Sequence, residues 1–290
     1  MLKGGRCFRG ILRVRYPRRI SSYRFSGNGF GQLGLSGHSC RRRGRRLVHV
    51  TDDLSAKDVR AALDALGDPD GAAGMGRFFK TGPGEYGEGD VFLGLRVPQT
   101  RAVVRKFRDL PIEESRLLLD SAVHEHRLAG LLILVDRYTR DPVSRRRVVE
   151  VYLDALRCGR VNNWDLVDAS SDHIVGEWIH ANPADAGLLT TLVDDPDLWR
   201  RRAGLLATFA FVKRGEAGPT LMMAERVLDD RRDLIQKAAG WMLREVGKRV
   251  DRDALLDFLE RHAAAMGRTA LSYATEHLDA EERARLRGLR

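Results

Sequence analysis

The most constraining feature of this sequence is an almost unbroken series of amphipathic helical patterns that begins near Ser55. The segments between these patterns are short, and no alternating apolar and polar run is long enough to form a regular β-strand. The chain has 290 residues, which is ample length for a large apolar core. The sequence therefore predicts an all-α fold.

Helices are predicted near residues 98–109, 111–122, 123–139, 143–158, 164–181, 183–193, 196–213, 218–229, 231–249, 251–265 and 268–287. Three starts carry an Asn or Asp cap followed by proline: Asp141-Pro142, Asn182-Pro183 and Asp195-Pro196. Taken in pairs, the helices recur roughly every 35 to 40 residues. This period predicts an α-solenoid of HEAT-like helix pairs with a concave basic and aromatic face. A plain helical bundle is the alternative.

Charge divides the chain into two parts. Residues 1–50 contain thirteen Lys or Arg and no Asp or Glu, so residues 51–290 hold 37 basic and 40 acidic side chains. We predict a disordered basic extension over 1–50 and the helical domain over 51–290. The extension has three interpretations: an arm that attracts phosphate, an organelle transit peptide, or an upstream stretch added by choosing too early a start codon. We favour the last.

Cysteine content, apolar runs and the N-terminal residues bear on the cellular location. The chain has three cysteines, a number typical of a reducing compartment without a disulfide framework. No apolar run approaches the roughly 18 residues of a membrane span, and the first residues do not resemble a secretory signal. We expect a cytoplasmic monomer without membrane contact.

The stretch 234–249 predicts a helix with two opposed faces. One face is apolar and carries Ile235, Ala239, Met242 and Val246. The opposite face carries Lys237, Trp241, Arg244 and Lys248. A tryptophan among cations has two interpretations: a helix buried on two sides, in which Trp241 fills space, or a surface that meets a polyanion.

Two further segments combine aromatic and charged residues. Trp164 and Asp168 are four residues apart, so they share a helix face, with Asp165 and Asp172 on nearly the same side. The bland interpretation is an acidic first turn that complements the helix dipole, with Trp164 as a core anchor. In residues 199–202, three arginines occupy a first helical turn, where they oppose the dipole. An external anion would offset that cost; otherwise they form a solvated face.

Other motifs argue against other chemistries. The glycine-rich loop, residues 82–90, is followed by no Gly-Lys-Ser/Thr and preceded by no strand, so we interpret it as a flexible connection and not a phosphate loop. His124 and His126 are two apart, which splays them on a helix, and the chain has no HExxH motif or paired CxxC. We predict no metal site and no cofactor.

Several segments, in this order and spacing, resemble the AlkD-like DNA alkylation repair glycosylases, which are built from HEAT-like repeats. They are FFKTGPGEYGEGDVFLGLRVPQTR (78–101), HEHR (124–127), NNWDLVD (162–168), LWRRRA (198–203), IQKAAGWMLREVGKR (235–249) and MGRTALSYATEHL (266–278). The resemblance implies a site formed by Trp164, Asp168, Arg202 and Trp241. One departure is Gly267, where many relatives carry proline; we expect it to alter a helix start and not the chemistry.

The implied activity is that of a monofunctional glycosylase, a hydrolase that excises cationic N3- or N7-alkylated purines from duplex DNA. Such a base leaves as a neutral molecule, so Asp168 would only stabilise the sugar cation and position or activate water. Trp164 and Trp241 would hold the cationic nucleotide, and Arg202 would grip a phosphate. Lys237, Arg244 and Lys248 are weaker phosphate candidates. The resemblance also implies excision without base flipping. The alternative is a non-catalytic HEAT-like scaffold that binds DNA structures or protein.

Overall fold

The computed structural model describes residues 54–289, and the predicted disorder of residues 1–50 lies outside them. Within this range the regular elements are all helices: there is no β-strand, only one isolated parallel bridge between Val91 and Val123. The predicted all-α fold is confirmed.

The α-helices are α1 Ala56–Asp64, α2 Pro69–Phe78, α3 Val97–Lys106, α4 Ile112–Leu119, α5 His124–Arg140, α6 Arg145–Arg157, α7 Trp164–Asp168, α8 Glu177–Ala181, α9 Gly187–Asp194, α10 Leu198–Ala207, α11 Phe209–Val212, α12 Gly218–Glu225, α13 Asp233–Arg249, α14 Arg252–His262, α15 Arg268–Ala274 and α16 Ala280–Gly288. Two 3₁₀ turns, Pro142–Ser144 and Pro183–Asp185, precede α6 and α9, and a π-helical turn, Asp172–Gly176, precedes α8.

One row of helices carries the repeat. Helices α5, α7, α10, α13 and α15, here called the stacked row, begin 40, 34, 35 and 35 residues apart. Consecutive members pack on each other: α5 against α7 and its π turn, these against α10, α10 against α13, and α13 against α15. Helices α4, α9 and α12 each pack on the row helix that follows them. Stacking of equivalent helices at this period is the arrangement expected of a helical solenoid.

The predicted helix starts have mixed outcomes. The Asp141 side chain does cap its turn, because it accepts hydrogen bonds from the N–H groups of Val143 and Ser144. Asn182 precedes the next turn, but its side chain caps nothing and its amide donates to the Trp178 carbonyl. The predicted cap at Asp195 is wrong. Helix α10 begins at Leu198, and the carboxylate that accepts from its first N–H groups belongs to Asp197.

Two predicted helices are divided in the structure. The segment 164–181 consists of α7, the π turn and α8, because the backbone takes an extra residue into the turn after α7. The segment 268–287 consists of α15 and α16, and the Asp279 side chain caps the start of α16.

The glycine-rich loop and the segment after it are held against α5. The Glu125 carboxylate accepts hydrogen bonds from the backbone N–H groups of Leu93, Gly94 and Leu95. Gly94 has φ +87°, and a Cβ atom there would lie 2.2 Å from the Asp68 carbonyl oxygen, so a larger residue does not fit. The side-chain amide of Asn163, which immediately precedes α7, donates to Asp90 at the end of the loop, so the loop lies beside the start of α7.

One remaining expectation concerns membranes. Among residues 54–289, no helix has the length and apolar character that crossing a bilayer requires.

Candidate active site

The end of α7 meets the middle of α10 through an ion pair between Asp168 and Arg202. The Arg202 Nε donates to Asp168 Oδ1 at 3.0 Å, and a second guanidinium nitrogen donates to Oδ2 at 2.9 Å. The third guanidinium nitrogen donates to the Leu234 carbonyl at 2.6 Å, which ties the pair to the start of α13. The Arg202 side chain is 5% exposed, whereas that of Asp168 is 20% exposed. The carboxylate is therefore the member of the pair that solvent or a ligand can reach.

The electrostatic setting of Asp168 combines opposing influences. Burial raises the pKa of the Asp168 carboxyl, and the nearby acidic groups Asp165 and Asp172 push the pKa in the same direction. The Arg202 guanidinium opposes this rise, and its two parallel hydrogen bonds are made to the ionised carboxylate. The structure thus contains a partly accessible carboxylate with a fixed orientation.

Trp164, the first residue of α7, forms one end of an aromatic stack. Its indole lies parallel to the Phe79 ring, with centroids 5.3 Å apart, and Phe78 meets it edge-on at 6.0 Å. Phe79 in turn packs on Phe92 and on the His124 imidazole. Trp164 is half-buried, while Phe78 is 60% exposed. The sequence pointed to both phenylalanines only through the resemblance. Two adjacent aromatic residues before a glycine-rich loop were the available signal.

Trp241 lies half-buried on α13 and packs at an angle against Phe209, with centroids 6.2 Å apart. Phe209 also has two cations over its ring: Lys213 at 5.0 Å and Arg249 at 5.4 Å. Lys213 forms an ion pair with Asp172, the residue that begins the π turn after α7. Phe209 and Lys213 thus lie between Trp241 and the acidic end of α7. The sequence had not suggested either of them.

The two faces predicted for α13 are only partly separate. The predicted apolar face is confirmed, since Ile235, Ala239, Met242 and Val246 are all buried. The helix also buries Ala238, Gly240, Leu243 and Glu245, so packing surrounds more of it than a single stripe would. Trp241 keeps part of its surface exposed between these contacts.

Of the three cations predicted to share a face of α13 with Trp241, two are neutralised by acidic partners. Lys237 pairs with Asp233 at 2.7 Å, and Arg244 pairs with Glu245 at 3.0 Å and with Glu276. Lys248 is exposed and forms no ion pair with any residue in the described range. Of the three side chains, Lys248 offers its charge most directly to a ligand.

The three arginines at the start of α10 each have an internal carboxylate. Arg200 pairs with Asp195 at 3.0 Å, Arg201 with Asp230 at 2.7 Å, and Arg202 with Asp168. These partners offset the unfavourable position of the arginines at the positive end of the helix dipole. Internal carboxylates therefore balance these arginines, in addition to the two alternatives that the sequence left open, an external anion and a solvated face.

A buried charge network adjoins the site and was not anticipated. His124 lies between two carboxylates: Nδ1 is 3.2 Å from Asp90 and Nε2 is 2.8 Å from Asp165. Burial lowers the pKa of His124, but Asp165 and Asp90 outweigh that effect and raise it to about 9. Arg127 donates to the other oxygen of Asp90 at 2.6 Å. A histidine, two aspartates and an arginine thus alternate in charge along one buried path.

Known proteins offer three comparisons. A family model for the DNA alkylation repair enzyme matches residues 59–278. Among solved structures, the fold is similar to that of a predicted DNA alkylation repair enzyme from Enterococcus faecalis, with a TM-score of 0.59 and 17% sequence identity. That alignment covers 74% of this chain and 97% of the other, and at such low identity it supports the fold alone. No curated protein matches the chain significantly.

Proposed function

Because the chain belongs to the DNA alkylation repair enzyme family, we propose that it is a monofunctional DNA glycosylase that hydrolyses the N-glycosidic bond of cationic N3- or N7-alkylated purines in duplex DNA. It would act as a monomer and without a cofactor. One observation carries the proposal: the carboxylate of Asp168 is partly exposed and held by Arg202, in a helix that begins with the half-buried indole of Trp164.

The proposed chemistry needs few groups. An alkylated purine that already carries a positive charge takes the electron pair of the glycosidic bond and leaves as a neutral base. The sugar becomes an oxocarbenium-like cation, which the negative charge of Asp168 stabilises. A water oxygen then bonds to the anomeric carbon, and the proton it loses passes to Asp168 and on to solvent. No acid is needed to protonate the leaving base.

The remaining residues would bind and orient the substrate. The exposed parts of Trp164 and Trp241 can contact a cationic nucleotide, each interaction being worth on the order of 0.5–2 kcal/mol. We assign Arg202 first to positioning Asp168, because three of its nitrogens already donate to that carboxylate and to the Leu234 carbonyl. A phosphate contact by Arg202 would have to use the N–H groups left over. Lys237, Arg244 and Lys248 are the further phosphate candidates, and Lys248 is the most available.

The proposal is tested by measuring base release from alkylated duplex DNA under single-turnover conditions. Wild-type protein should release the alkylpurine, and Asp168→Asn should reduce the rate by on the order of 10²-fold or more while leaving DNA affinity nearly unchanged. Asp154→Asn, which removes an exposed carboxylate of α6, is the matched control and should retain the wild-type rate. Undiminished release by Asp168→Asn would remove Asp168 from its proposed role. A wild type that releases nothing yet binds DNA in a salt-sensitive manner would favour the non-catalytic scaffold.

A further inference from the structure

We propose that Asp165 is a second functional carboxylate of this site, a positioning residue that orients the attacking water beside Asp168 and is itself held in place by the glycine-rich loop. The inference rests on the proposed glycosylase function and deepens it. It also gives a role to a loop that sequence motifs left unexplained.

The two oxygens of Asp165 have different surroundings. Oδ2 accepts a hydrogen bond from His124 Nε2 at 2.8 Å. Oδ1 is buried and accepts no hydrogen bond from any side chain or backbone group in the described part of the chain. A buried carboxylate oxygen without a donor is costly, so such an atom calls for a partner. The side chain as a whole is 15% exposed but Oδ1 is covered, so a water molecule bound to Oδ1 would be shielded from bulk solvent.

Asp165 lies on the same side of α7 as Asp168. Residues three apart on a helix are neighbours, with Cβ atoms about 5–6 Å apart. The charge of Asp165 adds to the effect of burial in raising the pKa of the Asp168 carboxyl, as expected of two carboxylates one helical turn apart. A water molecule between the two carboxylates could donate one hydrogen bond to each and direct a lone pair at the anomeric carbon.

Asp165 and Asp168 would have different roles because their hydrogen-bond partners differ. Both oxygens of Asp168 already accept from Arg202, whereas Oδ1 of Asp165 has its full accepting capacity. Asp165 is therefore the better anchor for the water. Asp168 has greater exposure and would face the sugar cation and receive the proton.

The glycine-rich loop holds Asp165 indirectly, through His124. His124, which is 2% exposed, contacts one carboxylate with each ring nitrogen, so both contacts are hydrogen bonds only when the ring carries two protons. Asp90, the last residue of the loop, also accepts from Arg127 and from the side-chain amide of Asn163. The next residue, Val91, pairs through its backbone with Ala122 and His124. The loop thereby fixes the imidazolium that holds Asp165.

The direct test is Asp165→Asn, examined for rate and for the choice of nucleophile. The carbonyl oxygen of the introduced amide would turn to the His124 N–H, so the amide NH₂ group would face the water and replace an acceptor by a donor. We expect the single-turnover rate to fall roughly 10- to 100-fold with little change in DNA affinity. In mixtures of water and methanol, the ratio of methyl glycoside to hydrolysed sugar should rise several-fold over wild type, because the water is no longer selected.

A second variant and a control make the result decisive. Asp165→Ala removes both carboxylate oxygens and introduces no donor, so it should show the same change in nucleophile ratio even if Asp165→Asn folds poorly. Asp154→Asn should match wild type in both measurements. A wild-type rate in both Asp165 variants would overturn the proposal, and so would a slow rate with an unchanged nucleophile ratio. If wild type releases no base, the glycosylase proposal fails and this inference falls with it.

Discussion

At the scale of single residues, the surroundings of His124 predict how the stability of the fold depends on pH. Its pKa is raised from an ordinary value near 6.5 to about 9 by two carboxylates. A group whose pKa is higher in the folded state contributes stability that is fully present below the unfolded pKa and is lost as pH rises through the folded pKa. The free energy of unfolding should therefore decline between about pH 6.5 and pH 9, by at most about 3 kcal/mol from this residue.

Denaturant titrations across that pH range measure the decline. His124→Gln, which donates from an uncharged amide, should be less stable at pH 6.5 and show a flatter dependence. His126 does not act in the same window, because burial lowers its pKa and places its own pH effect at more acidic values. An NMR titration of the His124 ring gives an independent answer, and a pKa below 7 would contradict the charge network.

Arg202 provides a second prediction at this scale. Arg202→Lys keeps the charge but loses the planar pair of N–H groups that holds both oxygens of Asp168. We expect roughly a 10-fold loss in base release or more, and a smaller loss than Asp168→Asn gives. Arg201→Lys is the matched control, since Arg201 pairs with Asp230 away from the site. Equal rates for the two lysine variants would show that the orientation of Asp168 does not matter.

At the scale of helices, the repeat itself assembles the site. Asp168, Arg202 and Lys237 are each the fifth residue of a helix in the stacked row, namely α7, α10 and α13. Equivalent positions in stacked repeats lie next to one another, so residues 34 and 35 apart in sequence become neighbours. Trp241 lies one turn further along α13. The carboxylate, the guanidinium and an indole are thus brought together by stacking, with no long loop required.

Close packing of α13 on α15 gives a third prediction. A Cβ atom added at Gly240 would lie 2.4 Å from the Ala270 carbonyl oxygen and 2.6 Å from the Tyr273 Cβ. Gly240→Ala should force the helices apart, lower the free energy of unfolding by about 1–3 kcal/mol and weaken base release by displacing Trp241. Gly218→Ala is the control, because nothing lies within 4 Å of an added Cβ there, and it should be neutral or slightly stabilising. Chemical denaturation separates these outcomes, and equal stability would contradict the tight contact.

Features that depend on neighbouring residues could be predicted from the sequence, whereas features that depend on contacts between distant segments could not. Helix positions and the repeat period come from apolar spacing within single segments, so α5, α6 and α13 were placed within about two residues. The π turn after α7 changes only hydrogen-bond register, which composition does not reveal. Ion pairs such as Arg201–Asp230 join different repeats, so the sequence of a single helical turn left an external anion or a solvated face as alternatives and could not reveal the internal carboxylates. For the same reason, the sequence did not predict the hydrogen-bonded network that joins Asp90, His124 and Asp165.

At the scale of the whole molecule, ion pairs connect neighbouring repeats. Arg147 pairs with Glu113, Arg214 with Glu177 and Arg226 with Asp194, in each case joining residues 32 to 37 apart. These side chains are between about a third and three fifths exposed, so each pair contributes no more than about 1 kcal/mol. Their larger effect is on charge, because arginines paired in this way attract a polyanion less. DNA affinity of residues 51–290 should then depend on a few unpaired cations such as Lys248.

The last prediction concerns the basic segment. Deleting residues 1–50 removes thirteen cations and leaves a chain with 37 basic and 40 acidic residues. All residues proposed to contact the substrate or the water lie between Trp164 and Lys248, and the network that supports them begins at Asp90, so we expect the single-turnover rate of base release to be unchanged within about two-fold. If the segment touches DNA without serving the chemistry, its deletion should flatten the salt dependence of binding to undamaged duplex, because fewer counterions are released. The two quantities are measured on the same pair of proteins. A truncated protein that binds normally but releases base many times more slowly would place part of the active site in the segment, and one that loses both would make it a DNA-binding arm.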